Sequence, residues 1–234
     1  MLTKMPPKTV SGKTVTKRKK KANPKGKYII HSLHTELPEE QDVTNYVSFD
    51  PGANNFDIRF ESRRLDGILT LKQAKYVIPF ERTRISTGTK SRALTSILEI
   101  LDSYEDLLRD THVALMEDQM CINNDMMYLM TAILTYFLCK YPKMFVVSVS
   151  SKLKGINLGA PPKLTRDQLK DWGEDEAKIL AIARGDRKFL RYLEVQSIGK
   201  TPSQIKIDDS TDNLIQIEAF CIEAGYRTTS REDL

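Results

Sequence analysis

The sequence predicts an α/β domain: a five-stranded mixed sheet flanked by helices. Three observations carry this. Early in the chain, three runs alternate apolar and polar residues and are parted by turn signals. Two further apolar runs, 112–117 and 144–150, each follow a segment of helical periodicity. The remainder reads as helices joined by polar loops. The order is β-β-β-α-β-α-β and then helices, with no internal repeat.

The first strand is 45–50, stopped by the turn at Pro51 and Gly52. Residues 55–62 form the second, where Phe56, Ile58 and Phe60 alternate with polar neighbours. A third strand lies within 67–80, which completes an antiparallel meander. A long amphipathic helix over 90–109 follows, because Leu94, Ile97, Leu98, Leu101, Tyr104, Leu107 and Leu108 recur at spacings of three and four. The strand at 112–117 leads to a helix at 123–140 that is apolar almost all round, and then to the strand at 144–150. Gly155, Gly159, Pro161 and Pro162 mark a loop. Helices at 165–184, 186–195 and 209–225 close the chain.

With 234 residues, 40% hydrophobic and 29% charged, the chain has room for one sizeable globular domain. No apolar run approaches the ~20 residues that span a bilayer, and no secretory pattern opens the chain. The expectation is an intracellular protein without a membrane partner. The formal net charge of +5 is unevenly spread. Residues 1–28 hold ten Lys or Arg and no acid, so the rest carries a net charge of −5. Residues 1–44 therefore read as a disordered basic tail and linker, and 45–234 as the folded domain. The run Lys17, Arg18, Lys19, Lys20, Lys21 suits weak contact with nucleic-acid phosphates or nuclear import. Cys121, Cys139 and Cys221 are odd in number and widely spaced, and His31, His34 and His112 lack zinc-ligand spacing. Free thiols in a reducing compartment follow.

The chemistry lies in carboxylates from distant segments. Asp50 and Glu117 close apolar strands, where a charge is expensive unless paired or bound to a cation. Asp208, Asp209 and Asp212 open the last helix. A strand-helix-strand crossover lays two strands side by side and parallel, and ligands in such sheets gather at the strands' carboxyl ends. Neighbouring strands ending in Asp50 and Glu117 share one edge. Asp209 and Asp212 lie on one face of a helix whose apolar side can pack on the sheet, so its first turn can reach that edge. Each acid alone also has an ordinary reading: a turn residue, a solvated strand end, a helix cap. Four together repel one another and call for cations, and an oxygen-only donor set suits Mg²⁺ or Mn²⁺. Two such ions stabilise the attacking and leaving oxygens of a phosphodiester displacement.

Phe49-Asp50-Pro51-Gly52, Met116-Glu117-Asp118-Gln119 and the Asp209/Asp212 pair, in this order and on these elements, resemble the RuvC-type Holliday-junction resolvases. The version in poxviruses and related large DNA viruses is most similar, and the resemblance spans roughly 45–225. It implies a ribonuclease H-like fold, dependence on Mg²⁺ (or Mn²⁺) with two ions at the site, and a homodimer that nicks opposed strands of a four-way DNA junction. It implies metal ligands at Asp50, Glu117, Asp209 and Asp212, and a catalytic lysine after the fifth strand. Lys152 and Lys154 both qualify, and Lys152 is preferred because it lies nearer the strand end. Whether Asp208 substitutes for Asp209 stays open. Asp118 should face away from Glu117.

Basic surface for DNA is expected at Arg63 and Arg64, at Arg82 and Arg84, and at Lys163, Arg166 and Lys170. Gly88 to Ser91 lacks the glycine and lysine order of a phosphate loop, so no nucleotide cofactor is expected. Two other readings share the fold: a different nuclease of the ribonuclease H superfamily, and a non-catalytic DNA-binding or scaffold protein. A decayed site of the second kind would tolerate Asn, Ser or Ala where acids stand here. The location fits a nucleus or a cytoplasmic site of viral replication.

Overall fold

The computed structural model describes residues 27–32, 36–51, 55–77, 87–118, 124–198 and 208–229. Six strands form one sheet: β1 (Tyr28–Ile30), β2 (Val43–Pro51), β3 (Asn55–Arg64), β4 (Gly67–Val77), β5 (Val113–Glu117) and β6 (Phe145–Val149). The order across it is β1-β6-β5-β2-β3-β4. β2, β3 and β4 form the expected antiparallel meander, while β5 runs parallel to both β2 and β6. This strand order, with the directions it carries, is a ribonuclease H-like mixed sheet with one added edge strand.

That added strand corrects the sequence reading, which gave five strands and placed 29–44 in a linker. β1 pairs antiparallel with β6, Tyr28 opposite Val149 and Ile30 opposite Val147. Three residues are too few to carry a periodic signal, so the strand is visible only through its partner. Pro38 and Glu40 are tied down as well. Tyr226 Oη donates to the Pro38 carbonyl at 2.5 Å, and the Arg227 backbone N–H donates to Glu40 at 2.6 Å. Residues 1–26 lie outside the described residues.

The expected helix at 90–109 is two helices, α1 (Thr87–Asp102) and α2 (Glu105–Arg109). The Ser103 hydroxyl donates to the Ile100 carbonyl at 2.6 Å, at the break. The apolar stripe continues across it, which is why periodicity alone reads one element. α3 (Asn124–Lys140) follows β5. Where a loop was expected after β6 there is a short helix, α4 (Lys152–Leu158), ended by Gly159 in the left-handed region at φ 82°. α5 (Arg166–Ala183) begins at a capping box of Thr165 and Gln168, α6 (Arg187–Ser197) at an Asp186 cap, and α7 is Asp208–Ala224. Among the described residues no helix is long and apolar enough to cross a membrane.

The two faces of the sheet differ in kind. Val47, Phe49, Ile58, Met116 and Val146 meet Ile97, Leu101, Ile133 and Phe137 of α1 and α3 in one apolar core. On the other face Leu115 and Val147 pack with Leu180, Leu214 and Ile217 of the later helices. Toward β3 this second face turns polar while staying buried. Arg59, Glu61 and Arg63 are all fully buried there. Glu61 bridges both arginines, at 3.0 Å to Arg59 and 2.8 Å to Arg63, and Arg63 reaches Glu218 of α7 at 2.7 Å. Arg184 joins Glu61 at 3.0 Å and Glu218 at 2.5 Å. Arg63 is thus a fastener between sheet and helix, not the DNA contact expected from its charge.

Candidate active site

Register brings the first two acids together. β2 and β5 are parallel, with Phe49 opposite Met116, so Asp50 and Glu117 are the next residue on each strand. Phe49 and Met116 point into the α1/α3 core. Alternation therefore turns Asp50 and Glu117 to the other face, beneath α7. Both strands end here, at the carboxyl edge where open α/β sheets place their ligands.

α7 is seated on this edge by a polar seam. The Ser48 hydroxyl donates to Asn213 Oδ1 at 2.8 Å, and Gln216 Nε2 donates to the Ser48 oxygen at 3.2 Å. Leu214, Ile217 and Cys221 are buried on the same helix. The first turn of α7 thereby stands over the strand ends. Lys154 on α4 completes the group: its Nζ lies 3.0 Å from Glu117 Oε2 and 3.1 Å from Asp212 Oδ1. Asp209, one turn back on the same helix, pairs with Lys75 of β4 at 2.6 Å.

The electrostatics put all four acids in one neighbourhood. Burial, then the charges of Glu117, Asp209 and Asp212, push the Asp50 carboxyl up to about 8, with Lys154 acting against them. Burial alone would lower Lys154, yet Asp212 and Glu117 hold its ammonium above the ordinary lysine range. Burial and neighbouring acids thus disfavour the Asp50 carboxylate, while Lys154 stays cationic.

The structure gathers Asp50, Glu117 and Asp212 around Lys154, with Asp209 beside them. Lys152 is exposed. Two residues on a helix are about 200° apart around its axis, so only one of Lys152 and Lys154 can face the acids. Preference for Lys152 assumed an extended loop; the short helix reverses it. Asp118 is exposed and acts on His31, away from the cluster. Arg64, Lys163, Arg166 and Lys170 are exposed. Arg82 and Arg84 lie outside the described residues.

Three residues near the site escape the sequence reading: Asp57, Gln73 and Lys75. Asp57 is buried directly opposite Asp50 on β3. Counting alternation back from Phe56 and Ile58 would have put it on Asp50's face.

Among the described residues no three or more His, Cys, Asp or Glu side chains form a ready-made metal cage. The chemistry of the donors nevertheless fits a divalent cation. They are carboxylate oxygens, hard ligands suited to Mg²⁺ or Mn²⁺. Four such groups meet two lysines, Lys154 and Lys75.

No protein-family model matches the chain. Uncharacterized protein 97L of Invertebrate iridescent virus 3 is 30% identical over 137 residues, 57% of this chain and 61% of that protein. The chain thus matches less than two thirds of this relative. Among solved structures, fowlpox virus resolvase with substrate Holliday junction DNA is similar with a TM-score of 0.49 and 15% identity. The match covers 79% of this chain and all of that one. RuvC of Thermus thermophilus in complex with Holliday junction substrate gives a TM-score of 0.46 and 12% identity, over 78% of this chain and 96% of that one.

Proposed function

We propose that this chain is a divalent-metal-dependent, structure-selective endonuclease that nicks opposed strands of four-way DNA junctions. The observation that carries the reading is the convergence of Glu117 from β5 and Asp212 from α7 on the Lys154 ammonium, with Asp50 beside Glu117 on the adjacent end of β2.

Asp50, Glu117 and Asp212 would hold the ions, joined by Asp209 once it leaves Lys75. Bound Mg²⁺ or Mn²⁺ would supply activation of water and neutralisation of charge on the scissile phosphate. Lys154, freed from part of its carboxylate pairing, places a positive charge at the strand ends, where it can meet a phosphate oxygen or orient the attacking water. The exposed Arg64, Lys163, Arg166 and Lys170 supply phosphate contacts that position DNA without reading its sequence. Two opposed nicks require two such sites, which a homodimer provides. The iridescent virus relative supports a viral setting, with genome resolution as the task.

The test is cleavage of labelled four-way junction, linear duplex and RNA–DNA hybrid in Mg²⁺. Symmetric nicking of the junction, little cutting of the others, and loss of cleavage with retained binding in Asp50→Asn and Asp212→Asn are expected. Preferred cutting of the hybrid would assign the site to another ribonuclease H-type nuclease. Junction binding with no cleavage under any divalent ion would leave a non-catalytic DNA-binding protein.

A further inference from the structure

We propose that Asp57 is a positioning residue of this site: it fixes the first turn of α7, and with it Asp209 and Asp212, over the ends of β2 and β5. The inference rests on the endonuclease reading for its consequence, but not for its geometry.

Asp57 stands in register with Asp50 on the adjacent antiparallel strand and is fully buried. Two acids directly opposite on one sheet face destabilise a strand pair, and burial makes the arrangement costlier. A sheet built for stability alone would carry an apolar residue here. What Asp57 gains is a set of donors. The Ser210 hydroxyl donates to Oδ2 at 2.5 Å and Asn213 Nδ2 to Oδ1 at 2.9 Å, and Gln73 Nε2 also donates to Oδ1. Both carboxylate oxygens are thereby engaged by donors, two of them on α7, and Asp57 acts on the site through that helix.

The spacing makes this contact a control on the acids. Ser210 and Asn213 are three apart and share one face of α7. Asp209 and Asp212 are the residues immediately before each, about 100° around the same helix. Holding the first pair fixes the azimuth of the second. Asn213 also accepts from Ser48 on β2, so the turn is held from two strands at once. Tyr192 Oη, 3.2 Å from the Ser210 hydroxyl, closes the arrangement from α6. Misplacement of a catalytic group by ~1 Å can cost about a hundredfold in rate, which gives the clamp its leverage.

The test compares Asp57→Ala, Asp57→Asn and the double variant Ser210→Ala/Asn213→Ala, which leaves Asp57 in place. Amide hydrogen exchange is followed across α7, Mn²⁺ affinity by calorimetry, and junction binding and cleavage in parallel. For Asp57→Ala we expect protection of the amides of residues 211–214, which close the first turn, to fall by about tenfold or more while 215–224, β2 and β5 keep theirs. Mn²⁺ affinity falls about tenfold and cleavage about a hundredfold, with junction affinity within about twofold. The double variant reproduces this pattern, and Asp57→Asn, which keeps one acceptor oxygen, lies between. Unchanged protection of the first turn with unchanged Mn²⁺ affinity overturns the inference, and so does a fall in protection spread evenly over the domain. If the wild-type protein binds Mn²⁺ but cuts no junction, the endonuclease reading fails while exchange and ion binding still decide the role of Asp57.

Discussion

Lys154 Nζ lies 3.0 Å from Glu117 Oε2, so a helix of seven residues delivers a cation to the end of a central strand. The same ammonium reaches Asp212 on the last helix, and three separate elements meet at one charge. Replacing Lys154 with Met removes the compensating charge for both acids. Cleavage should be abolished with junction binding retained. In the absence of divalent ions the variant should be less stable by about 1 kcal/mol, since two partly exposed carboxylates lose a charged partner. Lys152→Met, on the exposed side of α4, should cleave within about twofold of wild type. Gel assays of cleavage and urea unfolding of both variants separate the two lysines. Equal impairment of both would return the role to the strand end in general.

Asp50 gives a pH dependence of unusual sign. Its carboxyl titrates near 4 when unfolded and at about 8 in the fold. Between those values the native state binds the extra proton, so this group's contribution to stability falls as pH rises from about 4 to about 8. Asp50→Asn removes that decline. Without divalent ions the variant should melt higher than wild type at pH 8, by about 2–4 °C for each kcal/mol that the buried carboxylate costs, and the two should converge near pH 4. Added Mg²⁺ should raise the wild type more than the variant. Thermal melts across pH, with and without Mg²⁺, check this.

Arg63 and Glu61 should behave as structure. Breaking a fully buried ion pair from one side costs about 3–5 kcal/mol. Arg63→Ala should lower unfolding stability by that order, by leaving Glu61 and Glu218 short of a partner. Its effect on DNA binding should vanish once folded protein alone is compared. Although burial opposes it, Arg184, Arg63 and Arg59 pull the Glu61 carboxyl down to about 2. Its stabilisation is therefore full above about pH 4.5 and lost as pH falls toward about 2. Denaturant unfolding at pH 7 and pH 3 reads both effects.

The basic tail predicts salt-dependent affinity. Removing residues 1–26 deletes nine Lys or Arg while leaving Lys27, which pairs with Glu223 at 2.8 Å, and β1 intact. Junction binding should weaken and its dependence on salt should flatten, by ~0.9 in log-log slope for each phosphate that the tail no longer neutralises, with cutting retained. An unchanged slope in a binding titration over salt would show that the tail does not touch DNA.

Much of this was legible in the sequence. Alternation found the meander, and acids at the ends of apolar runs marked Asp50 and Glu117, which the parallel register of β2 and β5 sets side by side. The Asp209/Asp212 spacing found the face of α7. What escaped was non-local. β1 exists only through its pairing with β6, and α4 is too short to show a stripe. The interior of β3 reads as polar and so as exposed, because Asp57, Arg59, Glu61 and Arg63 find their partners on α6, α7 and neighbouring strands far away in sequence. The choice between Lys152 and Lys154 turned on whether two residues sat in a loop or a helix.

Anomalous diffraction from crystals soaked in Mn²⁺ decides whether the ends of β2 and β5 hold a divalent ion. A manganese peak bounded by Asp50, Glu117 and Asp212, with the Lys154 ammonium displaced from at least one of its two carboxylates, is the predicted result. Saturating Mn²⁺ with no peak at these strand ends, and Lys154 still joining Glu117 to Asp212, would contradict it.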